Sequence, residues 1–326
     1  MNYILPIPQH YYSLLIICTT YNHEKYIEDA LKGFIIQKTT FPYVALIIDD
    51  ASTDQTANII RKYEQEYPEI IKGVYLKENH YSKKMSKEPY IKPWKDKCKY
   101  VAFCEGDDYW IDPLKLQKQI DILETNPDVT FTYSNFKTVD ENGNEINRPT
   151  YEKYIKKSYS GDIFPNLLRG NFILTLTTCF RKEILMSKEY EDANIPKIDY
   201  LLFLIASAKG KAIYIPEITG CYRKQSNGLM SSAQKWVTQN TLITFKYVSN
   251  LYIKKHIKQR ATIDKFLIKT FIMRRAIGLY IQKDKELFSS IISIQKRNIV
   301  YIFPAVIEII LCKLQQFSNN ILFKSK

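Results

Sequence analysis

The sequence predicts an α/β protein built on a mostly parallel, Rossmann-type sheet with helices on its faces. Two observations carry this prediction. Short apolar runs of strand length alternate with stretches of helical periodicity, and three of those runs end in clusters of polar residues. Alternation of strand and helix is typical of parallel sheets with right-handed crossovers, whose ligands bind beyond the carboxyl ends of the strands. The fold would therefore place the three polar clusters along one crevice.

The first two strands are each followed by a polar cluster and a helix. Ser13 to Thr20 is nearly continuously apolar, as a strand buried on both faces requires, and Tyr21 to His23 precede a helix that reaches Gln37. A second strand over 44–48 ends at Asp49 to Asp54, and the next helix runs to about 67. The repeated order of strand, polar turn and helix predicts two neighbouring strand ends with polar side chains.

The next segment contains the third strand and a basic stretch. The strand covers Ile71 to Leu76, whereas residues 77–99 contain two prolines and eight lysines with little periodicity. This composition predicts a mobile loop with about one helical turn.

A third polar cluster follows the apolar run from Tyr100 to Cys104. Residues Glu105 to Asp108 contain three carboxylates within four positions, with Gly106 allowing a tight turn. Carboxylates this close repel one another, and a divalent cation such as Mg²⁺ or Mn²⁺ removes that cost. A solvated acidic turn before a helix begun by Pro113 is the alternative. The two other clusters at strand ends favour a site.

The remaining elements are predicted from shorter patterns. They are a helix to 126, a strand over 129–139 with a hairpin-like turn at 140–144, a short helix after 161, a strand over 172–181, an apolar helix over 200–206, and two short strands over 212–217 and 219–223. We expect residues 236–326 to form a separate C-terminal region of three or four helices.

Charge is concentrated in that C-terminal region. The net charge of the chain is +13. Residues 1–235 hold 31 basic and 30 acidic side chains, whereas residues 236–326 hold 16 basic and 4 acidic side chains. The basic residues alternate with aliphatic ones at helical spacing, which suits an anionic membrane surface or a partner protein better than nucleic acid. A solvated helix face is the alternative. We expect no nucleic-acid partner.

Composition and motifs exclude several other classes. The chain is 45% hydrophobic and 25% charged, as in ordinary globular proteins, and its six scattered cysteines include no Cys-x-x-Cys pair. These cysteines predict reduced thiols in a cytosolic protein, and the first ten residues lack the pattern of an export signal. Neither glycine-rich phosphate-binding motif is present, which argues against a dehydrogenase or a P-loop enzyme.

Three motifs in order resemble the signatures of the family 2 glycosyltransferases, which have the GT-A fold. They are Leu15 to Asn22, Ile47 to Thr56, and Glu105 to Asp108. The resemblance covers about residues 12–140 strongly and 160–230 more loosely. It implies inverting transfer of a sugar from a nucleotide-sugar donor, usually a UDP-sugar, with Mg²⁺ or Mn²⁺. The domain that it implies covers residues 1–235.

The resemblance also assigns residues to the donor site. It implies that Thr19 and Tyr21 contact the nucleobase, with the Tyr21 ring stacking, and that Asn22 belongs to the same nucleotide-sugar site. It further implies that Asp50 accepts a hydrogen bond from the base. Asp107 and Asp108 would hold the ribose and the metal. Both are assigned as metal ligands, and Asp107 is also assigned to the nucleotide-sugar site.

The sequence departs from the family pattern at several positions. Thr19 stands where many members have proline, and Glu105 stands where many have the first aspartate of the acidic motif. The Arg-Asn pair that many members carry before the acidic strand is absent from residues 77–99.

Tyr222-Arg223 resembles a Tyr-Arg segment that the family folds towards the diphosphate. Arg223 is therefore assigned to the nucleotide-sugar site, and Arg223 or Lys224 would supply positive charge to a departing diphosphate. Gln225 occupies a position where members often have histidine. The alternative for Arg223 is an ion pair with a surface acid.

Asp199 is the candidate general base. It precedes the apolar helix over 200–206, and a carboxylate partly desolvated by apolar neighbours gains proton affinity. An N-terminal capping role is the alternative, with Asp192 as the rival base. The resemblance favours the base, because family members place theirs at the start of a helix in this region.

These expectations combine into one hypothesis. The chain is a cytoplasmic glycosyltransferase, associated with the cytoplasmic face of the inner membrane, that acts on a glycan or lipid-linked acceptor in bacterial surface polysaccharide synthesis. The alternative is a non-catalytic nucleotide-sugar or partner-binding module recruited to a membrane complex.

Overall fold

The computed structural model describes residues 8, 11–146, 159–169, 171–191, 199–225, 244 and 247–248. The chain divides into two compact units. The first comprises Met1–Ile163, Phe172–Glu191 and Lys209–Ala233, and the second comprises Phe164–Asn171, Asp192–Ala208 and Gln234–Lys326. Apart from three single positions, the C-terminal helices predicted over 236–326 lie outside the described residues, as does the predicted domain boundary at 235.

The first unit is built on one eight-stranded sheet. The strands are β1 Leu14–Thr20, β2 Tyr43–Asp49, β3 Ile71–Tyr75, β4 Tyr100–Phe103, β5 Tyr109–Trp110, β6 Val129–Val139, β7 Thr178–Arg181 and β8 Lys211–Arg223. Their order is β3-β2-β1-β4-β7-β6-β8-β5. The strands β1 to β4 pair in parallel, β6 pairs with β8 in parallel, and β5 and β7 pair with their neighbours antiparallel. The predicted α/β class with a mostly parallel sheet is confirmed.

Helices cover the sheet within the first unit and also form the described part of the second. In the first unit they are α1 Ile27–Ile35, α2 Thr56–Glu66, α3 Glu88–Asp96, α4 Lys115–Thr125, α6 Lys182–Leu185 and α7 Lys188–Glu191. The second unit contains α5 Phe164–Arg169 and most of α8 Asp199–Lys209. Within the described residues, no helix combines the length and the apolar character needed to cross a membrane.

The predicted meeting of polar clusters at one sheet edge follows from strand register. Thr20 lies opposite Asp49, so β1 and β2 end together. After β4, the Gly106 N–H donates to the Thr19 carbonyl at 3.0 Å, which places the acidic turn directly beside the end of β1. Both β1 and β2 are almost entirely buried, as the continuous apolar runs predicted. The hydrophobic core therefore fixes the position of all three clusters.

The prediction of a loop over residues 77–99 was wrong in part, because α3 occupies nine of these residues. Pro89 lies in the first turn of α3, where a missing N–H costs no helical hydrogen bond. Trp94 is buried against the domain, and Lys95 pairs with Glu88 at 2.6 Å. Burial of the Trp94 ring stabilises a helix that periodicity alone did not indicate, and Glu88 offsets the cost of burying the Lys95 ammonium.

Two strands differ from their predicted extents, and a third strand was not predicted. The two short strands expected over 212–223 are one strand, β8, with irregular register opposite Asn135. Of the predicted strand over 172–181 only Thr178–Arg181 forms a strand, after a 3-10 turn at Thr175–Thr177. The short β5 was not predicted; the Trp110 indole N–H donates to the Leu176 carbonyl at 2.8 Å and holds it in place.

Candidate active site

The loops that follow β1 and β2 are tied together by side chains. The Asn22 N–H donates to the Ser52 hydroxyl at 2.9 Å, and the Asn22 side-chain oxygen accepts from the Thr53 N–H at 2.8 Å. The His23 N–H donates to the Thr56 hydroxyl at 2.8 Å. Asn22 has a φ of 53°, a left-handed conformation that asparagine tolerates better than most residues. Asn22 thus shapes the frame of the site, and its contact with nucleotide stays a prediction.

Tyr21 leaves much of its ring in solvent at the end of β1. Its exposed fraction is 44%, in a region where the preceding strand is almost fully buried. Thr19 is half-buried on the same strand and lies opposite Ile48 of β2. An exposed aromatic ring at a strand end suits stacking on a nucleobase, as the resemblance implies, but that contact stays a prediction.

Asp50 is buried, and its carboxylate holds the segment before α3. It accepts the His80 N–H at 2.8 Å, the Tyr81 N–H at 3.1 Å and the Lys87 ammonium at 3.0 Å. In addition, the Asp50 N–H donates to the Thr20 carbonyl at 2.9 Å. Sequence reasoning missed these partners because they lie about thirty residues further along the chain. The carboxylate therefore links the end of β2 to residues 79–87, and its contact with a base stays a prediction.

We expect Asp50→Asn to loosen residues 79–87 without unfolding the domain. Hydrogen bonds to a charged acceptor contribute about 1.5–3 kcal/mol each, so their weakening should speed amide exchange at His80 and Tyr81 by about tenfold or more. Hydrogen exchange with residue resolution measures this. Lys87→Met is the matched control, because it removes the ammonium and leaves both amide bonds; equal exchange in wild type and Asp50→Asn would contradict the assignment.

The acidic turn combines a buried carboxylate with a partly exposed one. Asp108 is 4% exposed, and its Oδ1 accepts the Arg223 N–H at 2.8 Å. Asp107 is half-buried, and its Oδ2 accepts the Gln225 amide at 2.7 Å. Burial raises the pKa of Asp108 well above its usual value, and the charges of Asp107 and Glu105 raise it further. The Arg223 N–H and the Arg223 charge act in the opposite direction but do not cancel the rise.

Gly106 brings further polar atoms against this turn. A Cβ at Gly106 would lie 2.6 Å from the Thr20 hydroxyl and 3.1 Å from the His23 Nδ1, so this position excludes a side chain. Among the described residues, these two buried atoms have no hydrogen-bond partner. Burial lowers the pKa of His23, while the Asp107 charge opposes that change. The turn is thus tightly built rather than a solvated loop.

The turn fits a divalent cation of the kind that the sequence predicts. The part of the chain that the structure describes contains no group of three or more metal-ligating side chains. Mg²⁺ needs no such group, because it is usually held by one or two carboxylates together with substrate phosphates and water. Asp107 and Asp108 supply that donor set. The pKa of Asp108 is raised by burial first and then by repulsion from Asp107 and Glu105, and a bound cation would offset that repulsion.

Arg223 is buried beside the turn with its guanidinium already bonded. It donates from Nε to the Asp107 carbonyl at 2.9 Å, from Nη1 to the Glu141 carbonyl at 3.2 Å and from Nη2 to the Asp29 carboxylate at 2.7 Å. The alternative of a pair with an acid at the surface is thus present, through Asp29. Direct contact of Arg223 with a diphosphate stays a prediction, and Lys224 next to it is exposed.

Asp199 is the first residue of α8 and is exposed. It belongs to the second unit, whose helix α8 is otherwise buried from Tyr200 to Ser207. The Tyr200 hydroxyl donates to the Leu167 carbonyl at 2.6 Å and ties α8 to α5 within that unit. The predicted position at the start of an apolar helix is confirmed, but the predicted partial desolvation is wrong, because Asp199 is exposed. Its role as base stays a prediction, and the rival Asp192 lies outside the described residues.

A mixed α/β sheet of this topology, with an acidic turn after the fourth strand, defines a GT-A-type glycosyltransferase domain. The chain belongs to glycosyl transferase family 2, whose sequence model matches residues 15–185.

Similar proteins agree with this membership. An uncharacterized protein of Mycobacterium tuberculosis is 33% identical over 221 residues, which cover 67% of this chain and 60% of that protein. The match thus spans about 60% of the length of this relative. TuaG of Bacillus subtilis, a glycosyltransferase named for teichuronic acid biosynthesis, is 26% identical over 243 residues, covering 74% of this chain and 90% of that protein.

A solved structure agrees with the fold. Staphylococcus aureus TarS 1–349, in complex with UDP-GlcNAc, matches with a TM-score of 0.51 at 17% identity and covers 86% of this chain and 90% of that one. At this identity the likeness shows the fold alone.

Proposed function

We propose that this glycosyltransferase moves a sugar from a nucleotide-sugar, with a UDP-sugar as the preferred donor, to a hydroxyl of a glycan or lipid-linked acceptor, with inversion of the anomeric centre. The observation that carries the proposal is the acidic turn, where the buried Asp108 and the adjacent Asp107 lie beside the joined ends of β1 and β2. TuaG, named for teichuronic acid biosynthesis, supports polysaccharide synthesis as the process, and we propose a surface polysaccharide as the product.

The donor would bind across the strand ends of the first unit. Tyr21 would stack on the nucleobase, with Thr19 and Asn22 beside it, and Asp50 would accept a hydrogen bond from the base. Asp107 and Asp108 would hold Mg²⁺ or Mn²⁺ and the ribose. When bound, the cation would offset the charge that develops on the leaving diphosphate.

Asp199 would act as the general base. Its carboxylate at the start of α8 would accept the proton of the acceptor hydroxyl while that oxygen attacks the anomeric carbon. The position of Asp199 supports this role, because it is an exposed carboxylate in the first turn of an otherwise buried, apolar helix. Capping of α8 is the competing role, and Asp199→Asn separates the two as described below.

The competing function is a non-catalytic nucleotide-sugar-binding module. Incubating the protein with a panel of nucleotide-sugars, Mn²⁺ and lipid-linked glycans, and measuring the nucleoside diphosphate released, separates the two. We expect a UDP-sugar to be consumed in a reaction that a chelator stops. The binding module is favoured if nucleotide-sugars bind tightly, no nucleoside diphosphate is released and no acceptor receives a sugar.

The basic C-terminal region supports a location at the cytoplasmic face of the membrane. Residues 236–326 hold 16 basic and 4 acidic side chains, and each basic residue near an anionic surface contributes up to about 1 kcal/mol of binding. We expect binding to anionic vesicles that weakens as salt screens the charges. Co-sedimentation with anionic and neutral vesicles measures it, and equal binding to both, or to neither, would contradict the prediction.

A further inference from the structure

Arg223 is a buried cation whose position follows from strand pairing. Tyr109 lies opposite Cys221 in the antiparallel pairing of β5 and β8. Two residues further along, the same register brings Arg223 opposite Asp107, so its N–H reaches Asp108 at 2.8 Å and its Nε reaches the Asp107 carbonyl at 2.9 Å. One residue thus bonds the acidic turn through both its backbone and its side chain.

The carboxylate that pairs with this buried cation comes from α1. The Arg223 side chain is 3% exposed, and its Nη2 lies 2.7 Å from the Asp29 carboxylate, which is 46% exposed. The guanidinium also lies 4.7 Å from the centre of the Tyr26 ring and 5.2 Å from that of Tyr109. A buried charge is costly without a partner, so Asp29 stabilises the orientation in which Arg223 faces the turn.

The packing of α1 makes this pair possible. Gly33, one turn after Asp29, lies so close to β5 that a Cβ there would be 2.8 Å from the Trp110 nitrogen. This approach holds α1 beside the strand that follows the acidic turn. Asp29 belongs to none of the three motifs, so sequence reasoning gave no signal for it.

We propose that Asp29 and Arg223 form a positioning pair that holds the Asp107–Asp108 turn in the geometry for binding a divalent cation and a nucleoside diphosphate. In this role Arg223 acts through the turn, and the pair itself does not touch the diphosphate. Each of the three guanidinium nitrogens of Arg223 already donates a hydrogen bond within the protein, and the side chain is 3% exposed, so little of it is open to an anion. The inference rests on the proposed function.

The test is the affinity of Asp29→Asn for UDP, measured by calorimetry with Mn²⁺ and with chelator. Loss of a residue that orients metal ligands typically weakens metal affinity about 10- to 100-fold, so we expect a loss of that size in Mn²⁺-dependent UDP affinity. Asp29→Glu, which keeps the carboxylate, should recover part of it. If Arg223 instead contacts the diphosphate, releasing it from Asp29 should leave UDP affinity unchanged or raise it, which would overturn the inference.

Glu28→Gln is the matched control. Glu28 lies next to Asp29 in the first turn of α1, is 49% exposed, and pairs with Lys32 instead of the turn. We expect wild-type UDP affinity for it. Thermal unfolding of each variant is measured in parallel; equal destabilisation of both variants with unchanged UDP affinity would show a purely structural role. If the wild-type protein does not bind UDP in the presence of Mn²⁺, the proposed function is refuted. If the wild-type protein binds UDP and Asp29→Asn binds it equally well, only this inference is refuted.

Discussion

Asp108→Asn should remove cation-stimulated UDP binding while leaving the fold intact. Two carboxylates hold the cation in this account, and a metal ion contributes several kcal/mol of charge stabilisation, so we expect affinity in the presence of Mn²⁺ to fall about 100-fold or more. Asparagine is preferable to alanine, because its side-chain oxygen can still accept the Arg223 N–H that Asp108 accepts. Calorimetric titration with UDP and Mn²⁺ measures the loss.

The same substitution should not destabilise the protein. Burial and the charges of Asp107 and Glu105 raise the pKa of Asp108, so the folded protein favours the neutral form of this side chain. Asparagine is neutral at every pH, and we expect an equal or higher melting temperature without metal. Asp49→Asn is the matched control, since Asp49 is also buried at a strand end and has a raised pKa through burial. Asp107→Ala should lose UDP affinity with Mn²⁺ as Asp108→Asn does. Wild-type UDP affinity in Asp108→Asn would refute the metal assignment.

Asp199→Asn should lower turnover by about 10²–10⁴-fold with unchanged donor affinity, the effect expected when a positioned general base is removed. Asparagine preserves the size of the side chain and is an equally good capping residue at the start of α8. A capping role therefore predicts activity close to wild type. Measuring UDP-sugar affinity and sugar transfer on the same preparation separates the two roles.

Asp192→Asn is the companion variant for this test. If Asp199 is the base, Asp192→Asn should turn over like wild type. The reverse pattern, with normal turnover in Asp199→Asn and loss in Asp192→Asn, would move the base to Asp192. Loss of donor affinity in Asp199→Asn would instead show that this carboxylate belongs to the binding site.

The parts of the site that sequence predicted are those set by local pattern. Continuous apolar runs identified β1, β2 and β4, and because parallel strands end at one edge, the clusters at Tyr21, Asp50 and Asp108 were expected together. The structure confirms this, because the Gly106 N–H donates to the Thr19 carbonyl and places the acidic turn beside the end of β1. Short-range periodicity therefore sufficed for the strand ends.

The contacts that sequence could not predict join residues far apart in the chain. Arg223 meets Asp29 across almost two hundred positions only because β8 pairs with β5 and α1 packs on β5. Lys87 meets Asp50 because α3 forms where two prolines and many lysines gave no periodic signal. Both are ion pairs with a buried member, whose partners depend on tertiary packing rather than on spacing in the sequence.

The crevice at the strand ends should bind a nucleotide-sugar through a cation at Asp107 and Asp108. Thermal unfolding with a panel of nucleotides and nucleotide-sugars, with Mn²⁺ and with chelator, tests it most directly, because a ligand that binds only the folded state raises stability by mass action. We predict that UDP and a UDP-sugar raise the melting temperature only when Mn²⁺ or Mg²⁺ is present, and that Asp108→Asn abolishes the increase. An increase of equal size with chelator, or none with any nucleoside diphosphate, would contradict the claim.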